Sequence, residues 1–328
     1  MILLLGATGY MGQAFATELR RRGYNFIPLT RQAFDYTNFD LLFDYVRKMR
    51  PEFIINAAGY VGKPNEETCE LEHGETLFAN TFLPQTIEKV CSMTNTPWGH
   101  ISSGNIYCGA KVFQNREKRI VRDLQQSEIQ ELHASHPEMF FGFTEWDEPN
   151  YSFRCAPCSF YSGSKALAEE SIRNNKQTYI WRPALPFNER DERRNFISRV
   201  KRYSGVRDGI HSLSHLEDFV TACLELWERQ SPYGIYNIAN PGVITRGQLL
   251  DMMARNLDSG SGYEFGKEKD TDRYYRLGTE LPQASYILDV SKLLATGIRM
   301  RPVRAALQDS LRKWQAAATL EMAGVGDN

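Results

Sequence analysis

Tyr161 and Lys165 stand four residues apart in Tyr161-Ser162-Gly163-Ser164-Lys165, a spacing that puts both side chains on one face of a helix. The preceding Ser159-Phe160 and the following Ala-Leu-Ala-Glu-Glu predict that helix. An ammonium beside a phenol favours the phenolate and lowers its pKa from about 10. Tyr161 is therefore expected to exchange a proton with a carbonyl or alcohol oxygen. Ser102-Ser103 closes an apolar run and offers a hydroxyl hydrogen bond. The second chemical cluster is Gly6-Ala7-Thr8-Gly9-Tyr10-Met11-Gly12, directly after the run Ile2-Leu3-Leu4-Leu5. Glycines so spaced between a buried strand and a helix allow a tight turn and let backbone N–H groups approach a pyrophosphate, where the helix dipole favours negative charge. A dinucleotide is the expected ligand. NAD-selective folds commonly end the second strand on an acidic residue that meets the ribose 2′-hydroxyl. This chain has Thr30-Arg31 there, and an arginine pairs with a 2′-phosphate. The expectation is NADP, with NAD as the alternative.

These residues need a frame that brings them together. Short β-rich runs alternate with longer helical patterns through the first half, the signature of successive βαβ units and a parallel sheet. The expected strands are Ile2–Leu5, Asn25–Leu29, Phe53–Ala57, Trp98–Ser102 and Thr178–Arg182. Helices are expected over Gln13–Arg22, Asn38–Met49 and Glu75–Met93. Arg20, Arg21 and Arg22 fit a helix C-terminus, where positive charge is favoured. The stretch Phe113–Pro157 is polar and without a sustained period beyond a short helix around Leu124–Leu132; it reads as an insertion across the cleft mouth. Pro183, Pro186 and the charged Glu189–Arg194 segment mark a lobe boundary. The fold class is thus α/β: a Rossmann-type, doubly wound parallel sheet over 1–182, with the insertion at 113–157. A smaller substrate lobe follows over 183–328, part of it returning to the sheet.

Composition narrows the partners. The 328 residues carry 39 basic and 40 acidic side chains, a formal charge of −1, so no global field attracts nucleic acid. Apolar runs such as Met1–Leu5 fall far short of the roughly 20 residues a membrane helix needs, and the chain reads as cytoplasmic. Six cysteines make no dense disulfide framework and suit a reducing compartment. Cys155-Ala-Pro-Cys158 lacks the second ligand pair of a zinc ribbon and does not follow a strand as a thioredoxin motif would; it reads as structural or incidental, with a redox-sensitive loop as the alternative. His211 and His215 find no third metal ligand nearby, so no metal is expected.

The chain resembles the extended short-chain dehydrogenase/reductases that act on nucleotide sugars, through Gly6-x-x-Gly9-x-x-Gly12, Asn56-Ala57-Ala58-Gly59, Ser103 and Tyr161-x-x-x-Lys165. The resemblance implies hydride transfer between a nicotinamide and a sugar carbon. Tyr161 would be the proton donor or acceptor, Ser103 would bond the same oxygen, and Lys165 would anchor the nicotinamide ribose. Asn56, Ala57, Ala58 and Asn80 would line the cofactor side. Within that family the chain is most similar to the rhamnose-pathway 4-keto reductases and their bifunctional 3,5-epimerase/4-reductases. The similarity runs through Asn56–Asn65, Ser159–Ser162, Arg194-Asn195-Phe-Ile-Ser198, Tyr236–Val243 and Ile287–Leu293.

Departures from the family pattern matter equally. In the bifunctional enzymes a cysteine serves epimerisation where Asn105 stands and a lysine where Arg199 stands; Asn105 does not titrate and Arg199 stays protonated. The 4,6-dehydratases resemble a Thr-Asp-Glu triplet at Ser103-Gly104-Asn105, so dehydration is not expected either. The reading is NADPH-dependent reduction of a 4-keto-6-deoxy nucleotide sugar, with Tyr161 as proton donor. The alternatives are a nucleotide-sugar 4-epimerase retaining NAD and a non-catalytic dinucleotide sensor. The expected partner is a nucleotide-diphosphate sugar. Arg193, Arg194, Arg199, Lys201 and Arg202 either neutralise its diphosphate or form a solvated helix face. Lys63, Asn65 and Glu67, past the third strand, sit where open α/β sheets bind ligands. A homodimer through Glu75–Met93 and Phe160–Asn175 is implied by the resemblance.

Overall fold

A computed structural model of the chain describes all residues except 63–65, 115, 203–208, 258–284 and 324–328, and the backbone alone at 67 and 315–323. The run Ile2–Leu5 forms β1, Phe26–Leu29 β2, Phe53–Asn56 β3 and Trp98–Ile101 β4. Three of these four strands are buried at every residue, as parallel strands covered on both faces must be. The intervening helices are α1 (Tyr10–Arg21), α2 (Phe39–Met49), and a third made of α3 (His73–Leu77), a π turn (Phe78–Phe82) and α4 (Leu83–Thr94). Asn38 caps α2 by accepting from Leu41 N at 3.1 Å. The expected single helix over Glu75–Met93 is therefore continuous but widened at its centre by the π turn.

The segment expected to be an irregular insertion carries regular structure. It contributes β5 (Ala110–Gln114), β6 (Glu117–Val121), α5 (Ser127–Ser135) and β7 (Phe140–Phe141), in a small antiparallel sheet ordered β6-β5-β7. Its strands escaped the sequence pattern because β6 is exposed at four of five residues, leaving no alternation to read. After it come α6 (Phe160–Ile172) and β8 (Thr178–Pro183), β9 (Pro186–Phe187), α7 (Phe196–Arg202), β10 (Ile210–His211), β11 (Ser214–His215) and α8 (Leu216–Glu228). The chain continues through β12 (Gly234–Ile238), β13 (Ile244–Thr245), α9 (Arg246–Asn256), α10 (Ser291–Ala295) and α11 (Val303–Ala323).

The main sheet has six parallel strands in the order β2-β1-β3-β4-β8-β12. Chain direction across the sheet reverses between β1 and β3. That reversal opens a crevice at the carboxyl ends of the strands, the usual ligand position of a doubly wound fold. Phe15 of α1 and Phe219 of α8 pack on one face with Trp181 of β8, while Leu42, Ile87 and Ile172 from α2, α4 and α6 cover the other. Gly99 of β4 is required by that packing, since a Cβ there would lie 2.0 Å from the Trp181 ring. A separate core of Phe187, Phe196, Ile197, Leu249 and Leu307 holds the second lobe. Tyr286 and Leu288 bridge to Gly109 and Phe143, so the last part of the chain runs back along the small sheet.

Candidate active site

Gly6 leaves β1 with φ +74°, and a Cβ on it would fall 2.5 Å from Ala58 N. A Cβ on Gly12 would fall 2.1 Å from Gly6 O, so only glycine lets α1 close on the turn. Gly9, the N-cap residue of α1, has no side-chain cap, and the first turn holds no acidic residue. Its first backbone N–H groups are left for an anion, which fits a dinucleotide pyrophosphate. Thr8 and Gly9 are exposed at the rim. Met11 is half-buried there, and Tyr10 has its hydroxyl buried with no hydrogen-bond partner. Arg31, past β2, is half exposed and pairs with Glu75 at 3.1 Å. Such an exposed pair is worth at most about 1 kcal/mol, so the guanidinium can turn to a 2′-phosphate at little cost.

Past β3 the sequence-expected lining residues divide. Asn56 is fully buried and its amide is spent on the scaffold, bonding His100 Nδ1 at 3.0 Å and accepting from Ala58 N at 3.0 Å. Asn80 accepts from the backbone N–H of Tyr60 and donates to its carbonyl, both at 2.8 Å. These two asparagines shape the loop, while half-buried Ala57 and Ala58 and the neighbouring Gly59 present backbone.

Tyr161, Ser103 and Lys165 are all buried. The Ser159 hydroxyl caps α6 by accepting from Ser162 N at 3.1 Å. One turn of helix then separates Tyr161 from Lys165, and another separates Lys165 from Glu169. Ser103 lies beside the Tyr161 phenol and acts to lower it, and its hydroxyl accepts from Asn105 N at 3.1 Å. Lys165 Nζ donates to Ile101 O at 3.1 Å, and a Cβ on Gly59 would come 3.3 Å from that ammonium. The expected lowering of the phenol by Lys165 needs correction. Burial, then the Glu66 carboxylate, pushes the Tyr161 phenol above its ordinary value against the Ser103 hydrogen bond, and Lys165 is not among the groups acting most strongly on it. The lysine reaches to the end of β4 instead. Its own ammonium is brought down to about 8 by burial, against the opposing charge of Glu169.

On the substrate side, Asn105 donates to Glu66 Oε1 at 3.1 Å and accepts from Tyr286 OH at 2.8 Å. Arg199 lies close enough to act on Glu66, His211 and Tyr286, and Arg194 donates to Gly62 O at 3.3 Å. The remaining substrate-side residues are spread over different partners. Asn195 is fully buried, its amide donating to Asn188 O, Asn188 Oδ1 and Arg190 O at 2.7–2.8 Å, so it shapes the 188–195 turn. Arg202 and Lys201 are drawn to Asp191 at 2.6 and 3.1 Å, which splits the basic cluster and leaves Arg194 and Arg199 toward the cleft. Lys63 and Asn65 lie outside the described residues. His211 is buried with neither ring nitrogen hydrogen-bonded, and the His215 ring meets Arg301 at 2.9 Å. Among the described residues no group of three or more His, Cys, Asp or Glu is placed to hold a metal.

Sequence reasoning missed Glu66 and Tyr286. Nothing in their local pattern marks them; the sheet order brings both to Asn105.

The fold is Rossmann-type, and Tyr161, Ser103 and Lys165 converge at the carboxyl end of its sheet. Residues 1–316 match the RmlD substrate binding domain model, and the chain belongs to that family. A curated relative is the trifunctional UDP-glucose 4,6-dehydratase/UDP-4-keto-6-deoxy-D-glucose 3,5-epimerase/UDP-4-keto-L-rhamnose-reductase of Arabidopsis thaliana. It is 28% identical over 79% of this chain, and the chain spans 34% of that protein's length. The UDP-rhamnose synthase of Acanthamoeba polyphaga mimivirus superposes with a TM-score of 0.74 at 16% identity, covering 95% of this chain and 98% of its own. The dTDP-4-dehydrorhamnose reductase of Bacillus anthracis, solved in complex with NADP, gives 0.69 at 18% identity, covering 96% and 98%. No helix among the described residues is long and apolar enough to cross a membrane.

Proposed function

We propose that this chain is an NADPH-dependent reductase of a nucleotide-linked 4-keto-6-deoxy sugar. The observation that carries the reading is the convergence of Tyr161, Ser103 and Lys165 at the carboxyl end of β4, beside the glycine turn of β1. NADPH, when bound, supplies the hydride. The residues of the chain do the rest. Tyr161 is kept protonated by burial and by Glu66, which suits a proton donor to the ketone oxygen. Ser103, beside the phenol, orients the same oxygen. Lys165 holds a ribose hydroxyl and keeps the Tyr161 side of the site positive. Gly6, Gly9 and Gly12 admit the pyrophosphate, Arg31 reaches the 2′-phosphate, and Arg194 and Arg199 neutralise the substrate diphosphate. Family membership supports the substrate class, as do relatives named for ketosugar reduction. The six free cysteines fit a reducing, cytoplasmic setting. We also read the molecule as a homodimer through the helix that runs over Glu75–Met93, π turn included, and α6.

Purified chain given NADPH and a dTDP- or UDP-linked 4-keto-6-deoxy sugar should oxidise NADPH, with Tyr161→Phe lowering kcat by about 10²–10⁴-fold. Cofactor binding without turnover of any such sugar would overturn the reading. A co-purified NAD that interconverts two nucleotide sugars without net consumption would assign a 4-epimerase instead.

A further inference from the structure

Tyr161, Lys165 and Glu169 stand one helical turn apart on a single stripe of α6. They meet three consecutive residues where β4 ends. Lys165 Nζ donates to Ile101 O at 3.1 Å, the Ser102 hydroxyl donates to Glu169 Oε1, and Ser103 lies beside the Tyr161 phenol. Glu169 is also held from a third element. Arg182 of β8, the strand next to β4, donates from Nε at 3.0 and 3.1 Å and from Nη2 at 2.5 Å, so both carboxylate oxygens are occupied. Its Nη1 donates to Tyr107 OH at 3.0 Å, and that hydroxyl donates on to Asp147 O at 2.6 Å.

Ser102, Glu169 and Arg182 are only 2%, 3% and 2% exposed. The desolvation of two buried charges offsets much of their attraction, so such a pair is weak evidence of stability for its own sake. What it fixes is direction. A carboxylate bound at both oxygens cannot turn, and the hydroxyl bound to it pins the residue between Ile101 and Ser103. Charge adds a second link. Cys69 and His100 also act on or feel the Lys165 ammonium, but burial pushes the Cys69 thiol up to about 12 and the His100 ring well below its ordinary value, so both are neutral at working pH. Glu169, paired with Arg182, supplies the opposing charge.

We propose that Glu169 is the positioning residue of the site: through Ser102 it sets where the end of β4 presents Ser103, and one turn along α6 it stands as the fixed anion for Lys165. The inference rests on the reductase reading above. Arg182 keeps Glu169 ionised and in place. Neither residue touches a reacting atom; both act through Ser102, Ser103 and Lys165.

The test follows NADPH oxidation by the full chain with a nucleotide-linked 4-keto-6-deoxy sugar from pH 6 to 10, together with NADPH affinity by fluorescence titration and the thermal midpoint. Ser102→Ala leaves the Glu169–Arg182 pair whole and removes its hold on β4. Its kcat should fall about 10-fold or more, with the KM for the sugar changed little. Glu169→Gln should move the alkaline limb of kcat/KM down by about one pH unit or more, because an ammonium without its anion gives up its proton sooner. Glu169→Asp keeps the charge and should hold the limb near its wild-type position. A pair kept for stability alone would lower the thermal midpoint of these variants and leave kcat and the limb where they were; that result overturns the proposal. Where Glu169→Gln does not fold, a Ser102→Ala chain with wild-type kcat overturns it by itself. Wild-type chain that binds NADPH but turns over no such sugar overturns the reductase reading instead. The role of Glu169 is then decided by NADPH affinity against pH, which should weaken through about 8 in wild type and about one unit lower in Glu169→Gln; coincident curves overturn it.

Discussion

Lys165 shows how far one buried side chain departs from its ordinary chemistry. Burial brings its ammonium from the usual lysine range to about 8, and Glu169, one helical turn on, holds it from falling further. Glu169 is in turn gripped by Arg182, whose Nε and Nη2 donate at 2.5–3.1 Å, and by the Ser102 hydroxyl. Tyr161 is shifted the other way by burial and Glu66, so it stays protonated while Lys165 titrates. If the charged lysine is needed, kcat/KM should fall as pH rises through about 8, because deprotonation there removes the ammonium. Lys165→Arg places a cation that does not titrate in this range. Its rate should be lower but flat across the same interval. An unchanged alkaline limb in Lys165→Arg, measured as kcat/KM from pH 6 to 10, would assign that limb to another group. At this scale the sequence made Tyr161, Ser103 and Lys165 legible because a helix period and a strand end place them. It could not show that Asn56 ties its amide to the His100 ring and Asn195 to the 188–190 turn, nor that Glu66 enters from a 3₁₀ turn, because those facts depend on tertiary contacts.

Among the elements, the β1–turn–α1 unit carries the cofactor side, and its glycines are not equivalent. A Cβ at Gly12 meets Gly6 O at 2.1 Å and the Ala7 Cα at 2.9 Å, all of it backbone that cannot swing aside. Gly12→Ala should therefore cost about 1–3 kcal/mol of stability by overpacking, seen as a lower thermal midpoint before any ligand is added. A Cβ at Gly9 meets only Gly6 O, at 3.4 Å, with φ −73°. Gly9→Ala should melt within experimental error of wild type yet bind NADPH more weakly, since the added methyl stands where the pyrophosphate approaches. Equal melting of both variants would show that the close approach of α1 is not a packing requirement. Elements of this kind were readable because each strand is a short apolar run and each helix keeps its period. The edge strand β12 was not read as a strand, since Tyr236-Asn-Ile-Ala-Asn240 alternates poorly. Asn237 of that strand is buried and donates to Phe143 O at 2.8 Å and Asp289 O at 3.0 Å. It serves as a tie between the main sheet and the small one.

For the whole molecule, the question is what covers the helices that carry the site. The π turn packs on α6 through Thr81 Oγ1 to Ser164 O at 2.9 Å and Asn80 Nδ2 to Ser164 Oγ at 3.2 Å. On the elements so joined, Phe78 and Phe82 stand one turn apart at 40% and 51% exposure, and Leu167 of α6 is 38% exposed. Large apolar side chains grouped on one surface are a common mark of an interface, and a second copy presenting the same surface satisfies the self-complementarity of a two-fold contact. Phe82→Glu would place a charge where the proposed dimer buries an aromatic ring. In solution the wild-type chain should scatter light as twice its own mass, while Phe82→Glu should elute and scatter as a single chain at micromolar concentration. Because Tyr161 and Lys165 are on α6, dissociation should also lower the thermal midpoint of the site-bearing half, and NADPH should restore part of it by mass action. A Phe82→Glu chain that still scatters as a dimer would move the interface to another face of the molecule, and a wild-type chain that is monomeric would remove it.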